Sequence, residues 1–376
     1  MKFMLAPDSF KGSLSAEQAV QAMTEGIQTV IPEAQLVSMP IADGGEGTIE
    51  VLQRALGGEK RYMHVPGPYG REVEACYLYT RQMAVIELAQ ASGLTLTSKE
   101  ERNPMQASTY GTGLLIRDAL ERGVKQICLT LGGSATNDGG AGIAKALGIS
   151  LIDEAGRTVE PNCAGLACLK RVNKDKIHPL VEQCNFVIAC DVKNPLCGSN
   201  GASAIYGPQK GANTVMVQQM DEILKQYGEI LEKTSGRSVV SLEGSGAAGG
   251  AALPLLAFAN ARLCSGIDLV LDALSFDRQL EDVDWVFSGE GKIDAQTSFG
   301  KAIDGIAQRA RKQGVPVAVF AGSLGMEPEN CPEGMYLRSI NPAEGTLEEH
   351  MKHAYENLRK AVSDFLLEEE KQCRQY

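Results

Sequence analysis

The sequence predicts an α/β fold of about two domains. Short apolar runs of strand length alternate with helical patterns almost throughout, which is the signature of α/β layering. At 376 residues the chain is too long for one small core and fits about two domains. Its 41 glycines follow no collagen period, so they imply many tight turns and loops where backbone approaches something closely.

The elements follow in chain order. Lys2–Ala6 reads as a first buried strand. Ser15 then caps a helix, with Gln18 at the capping-box position, and Ala16, Ala19, Val20, Met23, Ile27 and Val30 share one face until Pro32 stops it. Later strands are expected at Ala84–Leu88, Ile127–Leu131, Phe186–Ala189, Trp285–Ser288 and Val315–Phe320. Thr112–Arg122 reads as a helix with Gly123 just past its end. The last helix, about Leu347–Glu370, aligns Met351, Ala354, Leu358, Ala361 and Phe365 in one stripe. Charged seams lie near Lys99–Asn103 and Asp277–Asp284.

A net charge of −11 and a pI near 5.1 argue against a nucleic-acid partner or an anionic membrane surface. An anionic substrate would need local devices such as lysines, helix N-termini and magnesium. The ten cysteines form no C-x-x-C pair, and several sit in apolar runs, so reduced structural thiols are expected. The start MKFMLAPDSFKG reads as neither a signal peptide nor a membrane span, which predicts a cytoplasmic protein. Oligomeric state is not legible.

Loops of glycine with small polar or acidic residues follow nearly every expected strand, at the carboxyl ends where open α/β sheets bind ligands. They are Pro7–Gly12, Ala42–Thr48, Gly132–Gly140, Cys190–Pro195 with Gly207–Gly211, Gly244–Gly250, and Gly289–Asp294. Glycines bring backbone N–H groups close to a ligand, and a following helix start adds a positive dipole end, which suits phosphate. Aspartates on such loops suit magnesium or a base, because a hard cation takes carboxylate oxygens alongside phosphates. Each aspartate could equally cap its own loop.

Familiar motifs do not complete the assignment. Gly244–Gly249 matches G-x-G-x-x-G, but only a short strand precedes it and no ribose-binding acidic residue stands out after it. No Walker A loop, protein-kinase signature or G-x-S-x-G elbow occurs. His350 and His353 share a helical face with nothing to complete a metal site. A dinucleotide-dependent (NAD) oxidoreductase acting on a small hydroxy acid stays open as the alternative function.

The segments APDSFKGSLSA, ADGGEGT, IELAQASGL, GGSATNDGGAG, ACDVKNPLCG, GPQKGA, GAAGG and SGEGKIDAQT, in this order, resemble the type-1 bacterial glycerate kinase family over nearly the whole chain. The resemblance implies ATP- and Mg2+-dependent phosphorylation of D-glycerate, with 2-phosphoglycerate favoured over 3-phosphoglycerate. It also implies a Rossmann-like three-layer domain built from residues 1–100 plus 285–376, with a second α/β domain, 101–284, inserted in it.

Roles are assigned on that basis. Phosphoryl transfer needs neutralised phosphates, an in-line hydroxyl and an acceptor for its proton. Asp191, at a strand's carboxyl end beside Lys193 and Asn194, is the expected base, with Asp43 second and Lys11 aiding catalysis. Asp8, Ser9, Lys11, Asn194 and Lys210 are assigned to substrate, with Lys292 an alternative to Lys11. Gly132, Gly133, Ser134, Asn137, Gly246 and Gly249 are assigned to the nucleotide, and Asp138 and Asp294 to magnesium.

Overall fold

The computed structural model describes residues 1–10, 12–41, 48–293, 301–325, 331–342 and 344–373. In chain order the strands are β1 (Lys2–Leu5), β2 (Gln35–Ser38), β3 (Glu59–Pro66), β4 (Glu72–Tyr79), β5 (Met83–Glu87), β6 (Gln126–Thr130), β7 (Ser150–Ile152), β8 (Arg171–Asn173), β9 (Asn185–Ala189), β10 (Asn260–Cys264), β11 (Trp285–Glu290), β12 (Val317–Ala321) and β13 (Met335–Ser339). The result is an α/β protein with two principal sheets. The chain divides into two compact units, Met1–Asp43 with Val270–Tyr376, and Gly44–Leu269.

The first unit holds a parallel sheet in the order β13-β12-β11-β1-β2. Phe3, Leu5, Phe287, Ala318 and Phe320 on one face pack with buried residues of helices Ala16–Val30 and Ala354–Cys373. Phe287 is the hub of this core. It meets Phe3, Phe320 and Phe365 edge-on, with ring centroids 5.2, 5.4 and 5.7 Å away. Met4, Val286, Val317 and Val319 alternate onto the opposite face and are also buried. Helix Lys301–Lys312 packs on β11 and β12 and buries Ile303 and Ile306.

The second unit carries a six-stranded sheet in the order β10-β9-β6-β5-β4-β3. Strands β5, β6, β9 and β10 are parallel, and β4 and β3 extend the sheet as an antiparallel edge. Its core includes Ile86, Ile127, Leu129, Phe186 and Ile188 from the strands, with Leu115 and Ile116 from helix Tyr110–Glu121.

The unit boundaries differ from the expected 1–100, 101–284 and 285–376. The first crossing falls at Asp43, because β3, β4 and β5 hydrogen-bond into the second sheet and carry residues 44–100 with them. The second falls at Leu269, inside helix Gly266–Ala273, ahead of the charged seam. Local corrections are smaller. The expected strand Val315–Phe320 runs Val317–Ala321, after Pro316, which has no N–H to give a ladder. The last helix breaks at His353, leaving Leu347–Lys352 and Ala354–Cys373. The expected capping box is present: the Ser15 N–H donates to Gln18 Oε1 at 2.9 Å and the Gln18 N–H to Ser15 Oγ at 3.2 Å. Among the described residues no helix is long and apolar enough to cross a membrane.

Phe287→Ala removes the hub of the first unit's core and is expected to cost about 3–5 kcal/mol. Urea titration of this variant beside Tyr62→Ala, at an exposed position of β3, checks this. Equal midpoints for the two would contradict it.

Candidate active site

Strands β6 and β9 are parallel neighbours in register, with Gln126 opposite Asn185 and Thr130 opposite Ala189. Their carboxyl ends are therefore level, and the loops that leave them open side by side. Gly132, Gly133 and Ser134 after β6 and Asp191 after β9 line one cavity of about 220 Å³, together with Tyr206, Lys210 and Ala248. Residues assigned separately to nucleotide, base and substrate thus meet in one place.

Lys210 dominates the electrostatics. It ends the short turn Pro208–Lys210 and is 2% exposed. Its ammonium donates to Ser134 Oγ at 2.8 Å and to the Thr136 carbonyl at 2.6 Å. Both acceptors are neutral, and no carboxylate among the described residues pairs with it. Burial pushes its pKa down to about 7, against the opposing pull of the Asp138 charge. A buried cation without a counter-charge is costly, so this cavity is electrostatically suited to an anionic group.

Asp138 lies beneath the same loop and is fully buried. Its Oδ2 accepts from the Thr109 N–H and Oγ1, both at 2.8 Å, and from the Gly142 N–H at 3.1 Å, while Oδ1 accepts from the Gly140 N–H at 3.1 Å. Burial pushes its carboxyl up from the ordinary range, although these donors favour the ionised form. Both oxygens, expected at magnesium, are here engaged in holding the loop, and none faces solvent. Asn137 stands on the same loop, and its Oδ1 is buried without a hydrogen-bond partner among the described residues. It is fully buried, and its amide donates to Ser203 Oγ at 3.0 Å, so it ties the loop to the helix Ala202–Tyr206.

The glycine run Gly244–Gly250 also acts through packing. A Cβ at Gly249, whose φ is +72°, would stand 2.4 Å from both the Asn137 Cα and the Thr136 carbonyl oxygen. One at Gly246 would stand 2.2 Å from the Pro195 carbonyl oxygen. These glycines let three loops close on one another. Ala247 and Ala248, between them, line the cavity instead.

Asp191 is partly exposed and lines the cavity, and its Oδ1 accepts the Gly266 N–H at 2.8 Å. Asn194 turns inward: its amide donates to the Asn200 carbonyl at 2.8 Å, and its Oδ1 accepts from the Tyr206 hydroxyl at 2.6 Å. Expected at the substrate, it here braces the loop that carries Asp191. Tyr206, Thr109 and Gly266 were not singled out from sequence. Thr109, just ahead of a helical pattern, carried the one usable signal, an N-cap residue type.

In the first unit, Asp8 and Ser9 follow β1, and the Asp8 N–H donates to the Gly289 carbonyl at 2.9 Å. Strand order reverses between β1 and β11, the switch point at which such sheets bind ligands. Glu290 and Lys292 stand at the end of the neighbouring β11. Lys11, Asp43 and Asp294 lie outside the described residues. No cluster of three or more metal-binding side chains occurs among those described.

Comparison with known proteins places this geometry. The model of the Glycerate kinase family matches residues 3–367. A glycerate kinase of Halalkalibacterium halodurans is 48% identical over 324 residues, covering 86% of this chain and 85% of its own. A glycerate 2-kinase of Escherichia coli K12 is 42% identical over 367 residues, covering 96% of each chain. A crystal structure from Salmonella typhimurium LT2, described as that of a candidate glycerate kinase 2, superposes with a TM-score of 0.88 at 39% identity and full coverage of both chains.

Lys210→Met should keep or raise the thermal midpoint while weakening anion binding in the cavity. The wild-type pH dependence has a definite sign. Lys210 has a folded pKa of about 7, below its unfolded value. Stability from this group therefore rises as pH climbs from about 7 towards the ordinary lysine value of about 10.4. Thermal melts of both proteins across this range check it, and a parallel pH profile for Lys210→Met would contradict it.

Proposed function

The chain belongs to the glycerate kinase family, and we propose that it transfers the γ-phosphoryl group of ATP to D-glycerate in the cavity around Lys210. One observation carries this assignment: a buried lysine without a carboxylate partner faces a cavity of about 220 Å³ that Asp191 also lines. That volume falls below the roughly 300–1,000 Å³ of drug-sized sites. It suits a three-carbon acid and a single phosphoryl group better than a whole nucleotide. Lys210 meets the substrate's negative charge, and the backbone of Gly132–Ser134 meets phosphate oxygens.

Asp191 takes the proton of the attacking hydroxyl. Its bond from the Gly266 N–H occupies one oxygen and sets the orientation of the carboxylate. Asn194, through Tyr206 and Asn200, keeps the loop in place. The protein's own task is therefore positioning and charge neutralisation, which are the chief demands of phosphoryl transfer.

Magnesium bound with ATP would supply neutralisation of charge on the phosphates. A cation that keeps most of its shell as water and phosphate oxygens needs only one or two carboxylates. Asp138 does not fit this task, so Asp294 remains the proposed ligand. Asp8 and Ser9 stand just after β1 of the first unit. We read that unit as a Rossmann-like three-layer domain, which its parallel sheet with two buried faces supports. Phosphorylation at the 2-hydroxyl is favoured by the likeness to the Escherichia coli glycerate 2-kinase. The reduced thiols of Cys76, Cys163, Cys184 and Cys197 agree with a cytoplasmic site of action.

Incubation with ATP, Mg2+ and D-glycerate should yield ADP and 2-phosphoglycerate, identified by phosphorus NMR, and chelation should abolish both. Equal ADP release with glycerol would sink the assignment. Asp191→Asn retains an acceptor for the Gly266 N–H, so its melting temperature and ATP binding should hold. Its kcat should fall about 10²–10⁴-fold, the usual worth of a general base. Loss of ATP affinity with kcat preserved would remove Asp191 from the chemical step.

A further inference from the structure

Three non-glycine residues among those described have positive φ: Ala248, Ser275 and Asp282. Ser275 and Asp282 are exposed and carry short polar side chains of the kind that bond nearby backbone and ease entry to this region. Ala248 has only a methyl group. It sits at φ 50° and ψ 32°, is 9% exposed, and lines the cavity with Lys210 and Asp191.

The surrounding backbone holds it there. The Gly246 N–H donates to the Asn194 carbonyl at 3.0 Å, the Gly249 N–H to the Gly246 carbonyl at 3.1 Å, and the Gly250 N–H to the Ala247 carbonyl at 3.0 Å. The Gly249 carbonyl in turn accepts the Gly139 N–H at 2.8 Å. Glycine would occupy this conformation without strain, and glycine stands at both of the next two positions. A methyl group at the strained position of a glycine run, on a cavity wall, is the kind of outlier that points to function.

We propose that Ala248 is a specificity-determining residue: its methyl group limits the cavity to a three-carbon hydroxy acid and excludes 2,3-dihydroxy acids with one more carbon. This rests on the reading that glycerate occupies the Lys210 cavity. A single methyl group in a close-fitting pocket discriminates by about 10–200-fold. Removing it from the wall opens space of the same size.

The test compares kcat/KM for D-glycerate and for 2,3-dihydroxybutanoate, with ATP and Mg2+, in wild type and Ala248→Gly, alongside thermal melts. The variant should shift the ratio towards the four-carbon acid by at least about 10-fold, with a melting temperature equal to or above wild type. Ala248→Ser, which adds an oxygen to the same wall, should lower kcat/KM for glycerate by about 10-fold and leave the KM for ATP unchanged. An unchanged ratio in Ala248→Gly, with glycerate turnover intact, overturns the proposal alone. So does an equal loss with both acids together with a lower melting temperature, which marks a structural role. Wild-type protein without glycerate turnover overturns the reading of the reaction and the proposal with it.

Discussion

Burying the Lys210 ammonium among neutral acceptors is the constraint on which the second unit's cavity depends. Ser134 Oγ and the Thr136 carbonyl must stand where they do to receive its protons. That requirement draws the loop after β6 over the turn Pro208–Lys210, and the glycine run must then close against Thr136 and Asn137 from the other side. An apolar side chain could fill the same space at lower electrostatic cost. What it could not do is attract an anion into a protein with net charge −11. The local positive site works against the global field, and its low-dielectric surroundings strengthen the attraction at short range.

A second buried charge makes the first workable. Asp138 collects N–H and O–H groups from Thr109, Gly140 and Gly142, and so fastens the loop to the start of two helices. Its negative charge also raises Lys210's proton affinity without pairing with it directly. The two charges are thus arranged so that the carboxylate holds the scaffold and the ammonium lies at the cavity. A direct salt bridge would have satisfied both and left nothing for an anion.

The first unit is organised by a different constraint. β1 pairs in parallel with β2 on one side and with β11 on the other, although the whole second unit lies between β1 and β11 in sequence. Parallel pairing at such separation rests on the core beneath it, and the aromatic cluster around Phe287 supplies much of that core. The same pairing puts the loops after β1 and β11 next to each other at the point where strand order reverses.

The sequence by itself determined the α/β class, the buried strands and the capped first helix. These depend on local periodicity and local hydrogen bonds: Ile127–Leu131, Phe186–Ala189 and the Ser15–Gln18 pair are written in consecutive residues. Its ordered loops also marked the family. Strand β3, with its charged residues Glu59, Lys60, Arg61 and His64, was illegible because an edge strand needs few buried side chains. Only the tertiary structure decided which loop residues face the cavity. Asp138, Asn137, Asn194 and Ala248 all stand on such loops in the sequence, and only the folded chain puts Ala248 on the cavity wall. A polar side chain's role depends on which donors and acceptors surround it, and those come from distant segments, 83 residues apart between Asn137 and Met220. Spacing along the chain records none of that.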